Sequence, residues 1–196
     1  MHKFKAKNKN KLDNPKRREI LPPKETLERL GLMAEDTMAD VGCGIGYFTL
    51  PAAKIINKEN KIYALDILDE MLDEVKNKSK ELKLENIVAV KTAEYDLKLE
   101  DKSVSFVIMV NVLHEIEDKI RILKEIHRIL KPGGRIAVID FEKKETEMGP
   151  PVDHRLSREE TLGLLESAEF EMLNAIEISD TFYGLVAVKQ YKRRLE

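Results

Sequence analysis

The run Asp40-Val41-Gly42-Cys43-Gly44-Ile45-Gly46 constrains this 196-residue chain more than any other feature. An acid stands two residues ahead of the first of three alternating glycines, and the next apolar run, Lys61-Ile62-Tyr63-Ala64-Leu65, ends at a second acid, Asp66. Glycines permit positive φ and close backbone approach at a strand-to-helix turn, so a ligand can lie directly on the main chain. An acid closing the following strand is placed to accept hydrogen bonds from the vicinal hydroxyls of a ribose. Together they predict a nucleoside ligand on an α/β fold.

The rest of the chain carries the matching rhythm. Apolar periodicity predicts a short helix over 24–30 that Gly31 stops, a strand over 37–41 and a helix over 47–56 presenting Phe48, Ala52, Ile55 and Ile56. A strand over 61–65, a helix over 68–82 with Met71, Leu72 and Val75 inward, and a strand over 87–90 follow. Residues 105–110 (Ser-Phe-Val-Ile-Met-Val) read as a central parallel strand covered on both faces. A helix is predicted over 116–130, ended by Lys131-Pro132-Gly133-Gly134, and then a fifth strand over 135–140. Strands alternating with helices argue for a doubly wound sheet with right-handed crossovers. The last third breaks the rhythm. Ser157 with Glu160 forms a capping box, and the runs 172–178 and 182–188 are joined only by Ser179-Asp180-Thr181. So short a link cannot make a parallel crossover, so these strands form an antiparallel hairpin. The expectation is a Rossmann-like, doubly wound, seven-stranded and mostly parallel sheet with a C-terminal antiparallel hairpin.

Charge is unevenly spread. The net charge is −2, yet residues 1–24 hold nine Lys or Arg against Asp13 and Glu19, a local +7 on a body of −9. Residues 1–21 are therefore expected to be a basic, flexible arm and 22–196 a single domain. A basic arm on an acidic body suits a polyanionic partner, although a solvated leader is the preferred reading. The single cysteine, Cys43, excludes a disulfide framework and a multi-cysteine metal site, and nothing has metal-ligand spacing. No apolar run reaches membrane-spanning length, and the N-terminus has no signal-peptide stretch, so a cytoplasmic location is expected.

On these residues the chain resembles the class I S-adenosylmethionine-dependent methyltransferases over roughly residues 22–190. Asp40 to Gly46 fits the family's first motif, Asp66 its ribose-binding acid, Lys131-Pro132-Gly133-Gly134 its "LKPGG" stretch, and the terminal hairpin its reversed seventh strand. Asn111-Val112-Leu113-His114-Glu115 and Gly149-Pro150-Pro151 are similar to the quinone-biosynthesis and small-molecule group within it. The resemblance implies S-adenosylmethionine as cofactor and S-adenosylhomocysteine as product. It also implies residue roles. Gly42, Cys43, Gly44 and Gly46 would carry the methionine part and ribose on the backbone, and Asp40 would position the amino group through water. Asp66 would hold the ribose hydroxyls with Ile67 on the adenine, Thr92, Ala93 and Glu94 would face the adenine edge, and Asn111 would lie by the methionine end. An Asp common at the position of Thr92 is absent, with Glu94 as its substitute.

An NAD fingerprint would place its third glycine at position 47, which is Tyr47, and an apolar residue where Asp40 stands. For the chemistry, His114 after the fourth strand and Asp140 at the end of the fifth are the candidate catalytic groups, at the carboxyl edge where open sheets bind ligands. The loop 142–157 is the candidate lid, offering His154 and Arg155 as handles on the acceptor, with Tyr47 and Tyr183 as further substrate-side candidates. The chain lacks Asn-Pro-Pro-Tyr after the fourth strand, the signature of exocyclic amine methylation, and has no nucleic-acid-reading module beyond the arm. A small-molecule acceptor is favoured. The alternatives are a nucleic-acid methyltransferase using the arm, or a nucleoside-binding protein without catalysis. The leader, by its position ahead of Pro22, is a candidate cover for the cofactor site. The acceptor atom and the oligomeric state stay open.

Overall fold

The computed structural model describes residues 12–190. Most of the expected arm, residues 1–11, and the C-terminal residues 191–196 lie outside the described residues. The described chain runs α1 (Pro15–Ile20), α2 (Pro23–Arg29), β1 (Met38–Val41), α3 (Thr49–Ala52), β2 (Ile62–Asp66), α4 (Asp69–Glu81), β3 (Ile87–Lys91) and β4 (Val104–Val110). It continues through α5 (Lys119–Ile129), β5 (Leu130–Phe141), α6 (Arg158–Ser167), β6 (Phe170–Glu177) and β7 (Phe182–Lys189).

The seven strands form one sheet in the order β3-β2-β1-β4-β5-β7-β6. The first five are parallel, while β7 runs antiparallel to both β5 and β6, the short link 178–181 making β6 and β7 a hairpin. Strand β4 sits at the centre and is buried on both faces. Val107 and Met109 pack with Ile122, Leu123 and Ile126 of α5, whereas Phe106 and Ile108 pack with Leu27 of α2, Phe48 and Ala52. The order reverses between β1 and β4, and the crevice outside that switch point is where such sheets take ligands.

Three elements depart from the expected pattern. The helix expected over 47–56 is only the single turn α3, because Pro51 has no N–H to donate and Lys54 and Ile55 tighten onto Pro51 O and Ala52 O. The helix expected from 116 begins at Lys119. The Asp118 carboxylate accepts from Arg121 N at 3.0 Å and sets that start, and Leu113–Glu115 form a separate 3₁₀ turn. Within β5, Lys131 to Gly134 bulge out between the pairs Leu130↔Val104 and Arg135↔Phe106.

The described part of the expected arm is ordered. Asn14 caps α1 by accepting from Arg17 N at 2.9 Å, Pro15 opens the helix, and Leu21 beyond it is fully buried in the core beside Leu27 and Leu30. Residues 12–21 thus pack onto the domain from which the arm was expected to be separate.

At the amino edge of the sheet, Asp36 ties three elements together. Its carboxylate accepts from Arg135 Nη2 at 2.7 Å, Ser105 Oγ at 2.7 Å and Met33 N at 2.8 Å. Removing a buried carboxylate strands the donors it satisfies. Asp36→Ala is expected to lower unfolding free energy by about 2–3 kcal/mol in urea titrations. Affinity for S-adenosylhomocysteine should stay unchanged, since this edge lies opposite the ligand crevice.

Candidate active site

The glycine run leaves β1 as a turn laced to the end of β2. Gly42 N and Cys43 N both donate to Leu65 O, at 2.8 and 3.0 Å. Gly44 N donates to Asp66 Oδ2 at 3.0 Å, and Leu68 N donates to Asp66 Oδ1 at 2.9 Å. Each Asp66 oxygen keeps acceptor capacity for a ligand hydroxyl. Burial pushes the Asp66 carboxyl up from the usual range, against the backbone N–H bonds that favour the charged form. At Gly42, φ is +71°, and a Cβ would meet Val112 Cγ2 at 2.5 Å. No other residue fits there. Asp40, at 3% exposure, accepts from Thr49 Oγ1 at 2.6 Å. Burial raises its carboxyl to about 7, more than the Thr49 hydrogen bond lowers it.

Beyond β4, Asn111 takes φ +56° and donates its backbone N–H to Ile139 O at 2.8 Å, turning the chain across the crevice. Its Oδ1 is buried with no hydrogen-bond partner among the described residues. Three residues on, His114 Nδ1 lies 2.7 Å from Asp140 Oδ1, which also accepts from Phe141 N at 2.8 Å. The other ring nitrogen is 4.0 Å from Glu115 Oε1. Burial opposes the His114 cation, but the Asp140 hydrogen bond and the charges of Asp140 and Glu115 outweigh it, leaving the imidazole above its ordinary value. Asp140 is fully buried, with Oδ2 unpaired among the described residues. Phe141 stands 6.2 Å from the His114 ring and 4.7 Å from Phe182.

Most of these groups line one cavity of about 720 Å³, within the range that encloses a drug-sized ligand. The expected residues Asp40, Gly42, Cys43, Gly44, Tyr47, Asp66, Ile67, Thr92, Ala93, Glu94, Asn111 and His114 lie on its wall. Gly46 and Asp140 sit behind it, Gly46 against Leu50 and Val75, Asp140 through His114. A nucleoside with an amino-acid tail fits these residues. Asp66 offers acceptors at the end of β2, and Asn111 Oδ1, unpaired among the described residues, awaits a donor.

Three substrate-side expectations need correction. Arg155 is 4% exposed and does not reach the cavity. Its guanidinium donates to Pro150 O, Glu142 O, Lys144 O and Thr146 Oγ1 at 2.6–2.9 Å, clamping the loop 142–157 from within. His154 is solvent-exposed and off the cavity wall. Tyr183 is fully buried, its hydroxyl 2.7 Å from Thr161 Oγ1 and donating to Leu156 O at 3.1 Å. The loop does reach the cavity, but through Glu147, Met148, Gly149 and Pro150. Opposite it stand Leu12, Asn14 and Arg17 of the N-terminal segment, the leader expected as a candidate cover for the site, although none of these residues was singled out in the sequence. Asn14-Pro15 was the available signal, a capping residue before a proline.

A family model described as "Methyltransferase domain" matches residues 39–138. A solved S-adenosylmethionine-dependent methyltransferase from Aquifex aeolicus is 32% identical, with a TM-score of 0.91 over 95% of this chain and 100% of that one. Demethylmenaquinone methyltransferases from Oceanobacillus iheyensis and Listeria welshimeri are 29% and 31% identical over 117 residues, 60% of this chain. The chain spans about half the length of these curated relatives, 49% and 50%. With the glycine turn, the acid closing β2 and the reversed last strand in place, the chain belongs to the class I S-adenosylmethionine-dependent methyltransferases, whose cofactor is S-adenosylmethionine.

Proposed function

We propose that this methyltransferase acts on a small, largely apolar acceptor bearing a weakly acidic hydroxyl, of the demethylmenaquinone kind that its relatives' names carry, with His114 as general base. The observation that carries this reading is the His114–Asp140 pair, at 2.7 Å, on the wall of a cavity it shares with the glycine turn. Phe141, Phe182, Val110, Ile116 and Met148 form the adjoining apolar walls, which suit a planar ring and exclude water.

When bound, S-adenosylmethionine supplies an electrophilic methyl group on a cationic sulfur that takes back the bonding electron pair. The chain's residues do the rest. Asp66 accepts from the ribose hydroxyls, Ile67 covers the adenine, and Thr92, Ala93 and Glu94 face its edge. Asp40 and the free Asn111 Oδ1 receive the amino group. His114 Nε2 takes the acceptor's proton. Asp140 Oδ1 holds the Nδ1–H, which sets the tautomer and stabilises the imidazolium that forms. Fixing the acceptor against the methyl group supplies most of the rate, up to ~7–11 kcal/mol in favourable systems. No described helix is long and apolar enough to cross a membrane.

The reading is tested by incubating the protein with methyl-labelled S-adenosylmethionine and a reduced demethylated naphthoquinone. Label should enter the quinone, and label entering only RNA, or nothing, would sink the acceptor assignment. His114→Gln should cut turnover about 10²–10⁴-fold while calorimetric affinity for S-adenosylhomocysteine stays the same. Turnover should rise with pH through the elevated His114 value, because only the neutral imidazole accepts a proton. Asp140→Asn removes a charge that favours the imidazolium, so the rising limb should move to lower pH.

Asp40 yields a separate expectation. With its carboxyl near 7, it is part-protonated in the free protein at neutral pH, and a bound ammonium favours the ionised form. S-adenosylhomocysteine binding near pH 7 should therefore release protons and tighten as pH rises. Calorimetry in buffers of different ionisation enthalpy reads this directly, and Asp40→Asn should abolish the release.

A further inference from the structure

We propose that Arg17 forms an anion subsite for the α-carboxylate of the cofactor, brought to the cavity by the N-terminal helix. The inference rests on placing the amino-acid end of S-adenosylmethionine at the glycine turn. Among the described residues lining the cavity, Arg17 is the one Lys or Arg, facing the acids Asp40, Asp66, Glu94, Glu115 and Glu147. Its guanidinium carbon lies 4.6 Å from the centre of the Tyr47 ring. Tyr47 in turn donates its hydroxyl to Leu21 O at 2.8 Å, so ring and helix hold each other in place.

Among the described residues no carboxylate forms an ion pair with the guanidinium. Its Nε is buried with no hydrogen-bond partner, and the neighbouring acid, Asp13, is forked onto Arg18 by two bonds of 2.6 Å. A buried cation without an anion is costly, and a planar fork matches a carboxylate in two parallel bonds. The position fits the tail of the cofactor. Arg17 stacks on the residue that follows Gly46, and Leu12 Cδ1 would lie 3.2 Å from a Cβ placed on Gly44. The segment therefore lies directly on the turn. Of the groups in S-adenosylmethionine, only the carboxylate is an anion. Asp40 and Asn111 serve the ammonium from below, and Arg17 serves the carboxylate from above, so the two charges of the amino acid are separated by the site. An exposed ion pair, Lys16 to Glu147 at 3.4 Å, joins the helix to the loop on the far side of the mouth.

An acidic acceptor is the other source of the same chemistry, and the test separates them. S-adenosylhomocysteine and 5′-methylthioadenosine share the nucleoside and the sulfur, but only the first has the carboxylate. In calorimetric titrations of the full chain, Arg17→Gln should weaken S-adenosylhomocysteine roughly tenfold to a hundredfold and leave methylthioadenosine within about twofold. Equal loss for both ligands would overturn the proposal in favour of a structural role for the helix. Unchanged affinity for both would also overturn it, and a raised acceptor KM in that case would give Arg17 to the acceptor. Wild-type protein that binds neither ligand would overturn the cofactor placement itself, a result distinct from failure at Arg17. The thermal unfolding midpoint of the variant, read alongside, separates loss of fold from loss of contact.

Discussion

Everything at the ligand edge depends on one carboxylate at the end of β2. Asp66 receives the N–H of Gly44 on one oxygen and that of Leu68 on the other, so it ties the glycine turn after β1 to the start of α4. Leu65 O, one residue earlier, takes the two preceding N–H groups of the same turn. The glycine turn is therefore held by the neighbouring strand as well as by its own sequence. That arrangement needs parallel pairing of β1 with β2 in the register Val41↔Leu65, which in turn needs the right-handed crossover through α3. It also explains how so tight a turn tolerates a close neighbour such as Val112.

The two edges of the sheet do different work. At the amino edge, Asp36, Arg135 and Ser105 satisfy one another, and the network holds strands together. Of the four buried polar atoms without partners among the described residues, Asn111 Oδ1, Asp140 Oδ2 and Arg17 Nε lie at the carboxyl edge, and the fourth, Asn86 Nδ2, lies just ahead of β3. Buried groups without partners cost stability and are rare in folded proteins. Three of them around one cavity mark the place where the chain accepts a less stable arrangement so that a polar ligand can complete it. The raised carboxyls of Asp40 and Asp66 have the same origin, since burial there disfavours charge until a cation or donor arrives.

Legibility in the sequence followed the range of the interactions involved. The glycine turn, the acid closing β2 and the capping box at Ser157 are local patterns, and each stands where the residues implied. The hairpin was legible because three linking residues exclude every other connection. The start of α5 was misjudged by three residues because Asp118 caps more strongly than the apolar run suggests. Arg155 and Tyr183 looked like substrate handles because polar residues in a loop and a hairpin face either way. Direction was decided by contacts as far off as Glu142 and Thr161.

The sequence alone determined the fold class, the glycine turn and the antiparallel terminal hairpin, because periodicity, glycine spacing and link length act over a few residues. The tertiary structure decided which side chains share the cavity. It set Asp140 behind His114 across 26 residues of chain, and it laid Arg17 on Tyr47, bringing a helix from the presumed arm onto the site. It also turned Glu147 to Pro150 inward while Arg155 was drawn into the loop. These are long-range choices, made by which buried donors and acceptors find each other once the sheet has closed, and no local pattern records them.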